Sequence, residues 1–273
     1  MNILQNSQLL MPYEYKQIKK SINKLRASNY LGDRELKFTI IPSSFTLWYA
    51  RDNGLCKNKE CSNIKWLNPL RKYNNNYINE ALRQDSLFGY AEAYAWSTGL
   101  IGVSQNTFSL YHNKNGFLEC DLAHEIAHIK NNHFFESSKY KVKNNNLSKN
   151  KLNEKYMKFR RQQELEADYD AMLMLLNSGI NPHACVDNLR YLHYTSSTYY
   201  ETMKNSTHPG FRERIKKNIE FANHHIKDTQ RIKRSKTNGI WKYFRNKNVL
   251  IFSPEGLDQF KMEPQYLNGT KRR

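Results

Sequence analysis

The stretch DLAHEIAHIKNNH, Asp121–His133, decides how the rest of the chain is read. His124 and His128 stand four residues apart. On a helix their directions then differ by only about 40°, and the two imidazoles stack on one face. Two imidazoles so placed can bind one metal ion. Glu125 points to the side of that pair, where it can reach a water beside the metal without being a ligand. Leu122, Ile126 and Ile129 form a separate apolar stripe, which predicts a helix anchored in a core while its histidines face a cleft.

This is the H-E-x-x-H arrangement of zinc hydrolases. A catalytic zinc generally uses three protein ligands and leaves one position for water, so a third must come from elsewhere. The segment RRQQELEADYDAMLMLL supplies candidates. Glu164 and Asp168 share one face of a helix, with Ala167 and Ala171 beside them to permit close approach of another helix. Glu166 and Asp170 form a rival pair on a different face. Carboxylates inside so apolar a helix need a partner or a metal. Spacing alone does not choose between Glu164 and Glu166. His133, five residues past His128, is expected to point elsewhere, and His183, His193, His224 and His225 carry no spacing argument.

In these motifs the chain resembles the zinc peptidases related to the HtpX protease and the CAAX prenyl endopeptidase, whose pattern is H-E-x-x-H followed by E-x-x-x-D. Here these read HEIAH and ELEAD. AYAWSTGLIGV resembles the extended segment that this family places before the helix, SGINPHACVDNLRYL its Gly-x-Asp-Pro turn and following helix, and STHPGFRERI its Ser-Thr-His-Pro motif. The likeness spans roughly residues 85 to 222. Glu92 stands where an Asn is usual and Asn181 where an Asp is usual. The connection between His128 and Glu164 carries no hydrophobic hairpin.

The resemblance implies an α+β, mainly helical zincin-like fold with a small sheet whose edge strand precedes the H-E-x-x-H helix. It implies one Zn²⁺ per chain, held by His124, His128 and Glu164, with Asp168 orienting a ligand histidine. It also implies peptide hydrolysis with Glu125 as general base. His208 and Arg214 become the candidates for stabilising an oxyanion. His208 has two alternatives, a gate over the zinc or a cap on the helix after Pro209. The organisation expected is an N-terminal segment (1–84) packed on a catalytic core (85–226), followed by a basic C-terminal extension (227–273).

The formal charge is +18, with 39% hydrophobic and 13% aromatic residues, as in a globular protein. Lys and Asn are spread throughout, and no recognised nucleic-acid motif accompanies the charge. Only weak, salt-sensitive binding to nucleic acid is therefore expected, and no specific nucleic-acid partner. No run of apolar residues is long enough to span a membrane, and the N-terminus does not read as a signal peptide. A cytoplasmic enzyme with a polypeptide substrate and four reduced thiols (Cys56, Cys61, Cys120, Cys185) is the expectation; the oligomeric state is open. Competing readings are a repressor-cleaving metallopeptidase of mobile elements, an effector exported without a cleaved signal, and a basic interaction module with a structural zinc. STHPGFRERI speaks against the first. Glu125 speaks against the last, since a structural site needs no base.

KFTIIPSSFTLWYA reads as a strand, a turn and a second extended piece, and RDNGLCKNKECSN as loop. NNYINEALRQDSLF reads as a helix, GLIGVSQNTFSLY as extended, and 138–156 as a mobile lysine-rich connection, partly helical at its end. A long helix is expected from about Tyr156 to Asn177, helices from about Pro182 and from His208, and a strand in KNVLIF.

Overall fold

The computed structural model describes residues 11–56, 61–196, 200–225 and 236–255. Its elements, in chain order, are α1 (Tyr13–Arg26), β1 (Leu36–Ile41), α2 (Ser44–Asp52), a short α3 (Cys61–Ile64), α4 (Asn76–Phe88), β2 (Ala93–Ala95), β3 (Leu100–Ser104), α5 (Gln105–Leu110), α6 (Phe117–Lys130), α7 (His133–Lys143), α8 (Lys149–Asn177), α9 (His183–Ser196), α10 (Phe211–His225), β4 (Gly239–Phe244) and β5 (Val249–Pro254). The fold is mainly helical with one small sheet, an α+β arrangement.

The sheet has five strands in the order β2-β3-β1-β5-β4. β1 and β3 are parallel; the other pairs are antiparallel. Register aligns Phe38 with Ile101 on one side and with Leu250 on the other, so these side chains share one face. That face belongs to a core that also contains Ile18, Ile22 and Leu25 of α1, Leu122 and Ile126 of α6, and Met172 and Leu175 of α8. The predicted stripe of α6, Leu122, Ile126 and Ile129, is buried as its spacing requires. β2 forms the edge of the sheet and precedes α6, in line with expectation.

Several local expectations change. SFTLWYARD is a helix, not extended. Its β-branched and aromatic residues favour strands only when they lie on a pleated surface. Here Ser43 caps the helix, and two carboxylates from distant sequence support its start: Asp85 accepts from Ser43, and Glu92 accepts from the Ser44 backbone N–H at 2.7 Å. QNTFSL, expected as part of an extended segment, is the helix α5. The connection at 138–156 is mostly helix: α7 runs to Lys143, and α8 already starts at Lys149. Aromatic contacts zip the two together, Tyr140 stacking on Phe159 at 4.4 Å and Lys141 sitting 4.2 Å over Tyr156. The thiols are not free among the described residues; Cys56 is bonded to Cys61, and Cys120 to Cys185. The second pairing joins α6 to α9 across 65 residues, a proximity that folding creates and spacing does not reveal.

α6 begins at Gly116, whose φ is +87°. A Cβ there would lie 2.7 Å from Ala184 Cβ, so the start of the helix closes directly on α9. Its end is set by Asn132, in the left-handed region with φ 54°. The H-E-x-x-H helix therefore ends after Lys130, and α7 leaves in a new direction.

The sheet draws strands from all three segments delimited in the sequence, since β5 pairs with β1 and β1 with β3. Phe252 on β5 is fully buried. Phe252→Ala is expected to cost about 3–5 kcal/mol of stability, read as a lowered midpoint in urea denaturation. A midpoint unchanged from the native chain would show that the C-terminal strands do not share the core.

Candidate metal centre

α6 and α8 make the most extensive helix pairing in the fold. The contact is lined by small residues, Ala123 and Ala127 on α6 and Ala167 and Ala171 on α8, all at or near zero exposure. Small side chains let the two backbones approach, and the polar faces of the helices meet at the margin of this seam.

There His124 Nε2 and His128 Nε2 lie 3.1 Å apart, and Glu164 Oε2 lies 3.4 Å from the first and 3.6 Å from the second. Among the described residues, His124, His128 and Glu164 are the group whose ligand atoms are close enough together to hold a metal ion. Tetrahedral zinc with ligands at about 2.0–2.1 Å requires ligand atoms about 3.3–3.4 Å apart, within the 3.1–3.6 Å range found. Glu164 Oε2 is buried and has no hydrogen-bond partner. A buried anionic oxygen without a donor is costly, and a cation bound between it and the imidazoles satisfies it. The residues present therefore fit a divalent metal.

The surroundings fix each ligand. His124 Nδ1 lies 2.9 Å from Asp168 Oδ1. Asp168 in turn takes two charge-assisted hydrogen bonds from Arg214, from Nε at 2.8 Å and from Nη2 at 2.6 Å. Burial would raise the Asp168 carboxyl, but the guanidinium outweighs it and holds the group at about 2. Burial also opposes charge on His124, yet the carboxylates of Asp168 and Glu164 raise its imidazole to about 10. Glu164 is held well below the usual carboxylate range, the neighbouring imidazoles of His124 and His128 overcoming its burial. Its other oxygen, Oε1, lies 3.5 Å from Arg160.

His133 does not point elsewhere. The break at Asn132 turns it back, and its Nδ1 lies 2.8 Å from His128 Nδ1. Its Nε2 is 3.5 Å from Glu166 Oε2. A consistent assignment has His128 donating from Nδ1 to His133, and His133 donating from Nε2 toward Glu166, which leaves Nε2 of His128 free for the metal. Burial and the neighbouring His128 push His133 down to about 4, so it stays neutral in this relay. The rival carboxylate of the sequence thus has a place of its own, beside His133 and half exposed.

Glu125 faces a cleft of about 250 Å³ that it lines together with Tyr94, Asp121, His124, His208 and Arg214. Burial pushes its carboxyl up to about 8, against the pull of His124, and the Ala95 backbone N–H donates to it from β2. His208 Nε2 approaches Glu164 Oε2 to 3.4 Å, while its side chain stays more than half exposed. Its Nδ1 lies 3.1 Å from the Thr207 hydroxyl. His183, His193, His224 and His225 are outside the metal-sized group.

A model of the Peptidase U49 family matches residues 118–234, and a model of Peptidase family M48 matches residues 77–148. The two matches support a metallopeptidase family. The M48 match covers β2, β3 and the H-E-x-x-H helix; the U49 match covers that helix together with ELEAD and the His-Pro segment. They overlap where His124, Glu125 and His128 lie. No curated protein and no solved structure matches the chain significantly. No helix among the described residues is long and apolar enough to cross a membrane.

Two measurements test the geometry. Glu164→Ala is expected to weaken metal binding far more than Glu166→Ala, by competition with a chromogenic chelator; the reverse order would put the ligand register wrong by two residues. His133→Ala and Asp168→Ala are each expected to lower metal affinity by about 10- to 100-fold, the scale for partners that orient a ligand imidazole. An unchanged affinity in His133→Ala would remove it from the site.

Proposed function

We propose that the protein is a zinc-dependent endopeptidase with His124, His128 and Glu164 as the metal ligands. The observation that carries this reading is Glu125, a carboxylate on the ligand helix, facing the same cleft as the three-ligand cluster beneath the edge strand β2. A divalent zinc held there supplies a Lewis acid that polarises a carbonyl and lowers the pKa of water to about 7.

The protein's own groups do the rest. Among the described residues the outer edge of β2 carries no strand partner, so an extended polypeptide can add to it by main-chain hydrogen bonds, which aligns a peptide bond across the cleft. Glu125 takes the proton of the attacking water on its carboxylate and delivers it to the departing amide nitrogen. Burial alone would keep that carboxyl protonated; a divalent ion held by His124, His128 and Glu164 would favour the ionised form that a base requires. His208, exposed on the cleft side of Glu164, donates from its imidazole to the carbonyl oxygen as negative charge develops there. Arg214 gives two nitrogens to Asp168 and acts through it, as a positioning residue for His124.

Glu125→Gln is expected to retain one zinc per chain by atomic absorption and to lose hydrolysis of an unfolded protein substrate by roughly 10²- to 10⁴-fold. A chelator is expected to abolish the native activity and added zinc to restore it. Full turnover by Glu125→Gln would overthrow the mechanism. His208→Ala is expected to slow turnover by roughly 10²- to 10³-fold with the zinc retained, the scale of one lost oxyanion donor. A faster basal rate would instead make His208 a gate, and an unchanged rate with a lower melting temperature would make it a helix cap.

A further inference from the structure

A second cavity, of about 920 Å³, shares no lining residue with the metal cleft. Thr39 and Leu100 contribute to it from the sheet face opposite the core-facing Phe38 and Ile101. Two stretches remote in sequence meet around it, Trp66–Tyr73 and Tyr243–Val249. They bring Arg71, Lys72, Arg245 and Lys247 to one concavity, and no described Asp or Glu lines it.

All four cations are exposed, and none forms an ion pair with a described residue. Lys158, Arg190 and Arg212, by comparison, each lie within about 3 Å of a carboxylate, whereas the four cations here share one concavity. Flat rings stand among the charges. Trp66 is 47% exposed and rests on Trp96 at 4.9 Å between centroids. Tyr73 sits under the Arg71 guanidinium at 5.8 Å. The side chains of Asn68, Asn246 and Asn248 add polar atoms at the wall.

Like charges held together without counter-charge repel one another, and the arrangement is favoured when an anion enters. The exposed ring of Trp66, with half-buried Tyr73 beside the charges, suits a ligand with its own π-face. The size falls within the range of small-molecule pockets, at roughly 300–1,000 Å³. We propose that this cavity binds nucleotide units, phosphate against the four cations and base against Trp66 or Tyr73, as part of a single-stranded nucleic acid read without sequence preference. The +18 charge then has a focus, which the lysine-rich segment 138–156 does not supply because its aromatics Tyr140 and Tyr156 are engaged in the α7–α8 contact.

The test is fluorescence anisotropy of a short labelled oligothymidylate with the full chain at physiological ionic strength. Native protein is expected to bind with a Kd on the order of 1–100 µM. Arg71→Glu combined with Lys247→Glu is expected to weaken binding at least about tenfold and to flatten its salt dependence. Trp66→Ala is expected to weaken it by roughly 5- to 100-fold while leaving the salt dependence in place. Both variants should melt as the native chain does, since the residues replaced are exposed. Unlabelled thymidine monophosphate and inorganic polyphosphate serve as competitors. Stronger competition by the mononucleotide than by polyphosphate supports the site and assigns it to free nucleotides; competition only by the oligonucleotide supports the strand. The proposal fails if polyphosphate competes as well as an oligonucleotide of equal charge. It fails if Lys141→Glu with Lys143→Glu weakens binding as much as the cavity pair, or if the native chain shows no binding.

Discussion

One carboxylate oxygen organises the centre of this molecule. Glu164 Oε2 is buried in the seam between α6 and α8, and three imidazole nitrogens, from His124, His128 and His208, stand around it at 3.4–3.6 Å. An anion in that position is tolerable only with positive charge beside it. The alanines of the seam make the approach possible, Arg160 supplies fixed charge at the other Glu164 oxygen, Arg214 pairs with the neighbouring Asp168, and the three-residue group could hold a metal ion. Larger residues at Ala123 or Ala167 would push the helices apart and separate ligands that sit on different chains of contact. The geometry of the cleft, the orientation of His124 and the ionisation of Glu125 all follow from how that buried charge is balanced.

What could be read in advance was whatever depends on helical periodicity. The face carrying His124 and His128, the buried stripe of Leu122, Ile126 and Ile129, and the pairing of Glu164 with Asp168 are all intervals of three, four or seven residues, and the fold respects them. Choosing Glu164 over Glu166 was beyond spacing, because both are carboxylates on one helix and both meet a histidine. His133 was missed because a helix extrapolated past Asn132 carries it away from the site. The signal was the pair Asn131–Asn132, since Asn tolerates the left-handed conformation that ends α6. The sequence 44–52 was misread because the groups that stabilise its helical start, Asp85 and Glu92, lie some forty residues later. No local rule reports a cap that arrives through tertiary structure.

The distribution of charge is also a property of the fold and not of the composition. A chain with 43 basic and 25 acidic residues places five of its carboxylates, Glu92, Asp121, Glu125, Glu164 and Asp168, around a single cleft. Among the described Lys and Arg residues, only Arg214 lines it. With no described lysine in its lining, the cleft could hold a metal ion without competition from ammonium groups.

The link between Cys120 and Cys185 closes a loop that contains His124, His128, Glu164 and Asp168. In a chain that has lost its fold but kept that bond, these groups are still confined to one ring of sixty-odd residues. Ring closure of this length removes about 4 kcal/mol of freedom from the disordered ensemble. Both halves of the centre then remain within reach of one another, at a local concentration that an open chain of 273 residues would not sustain. Recovery of this candidate centre after denaturation is thereby a search within a loop, separate from the assembly of the sheet, to which that loop contributes no strand.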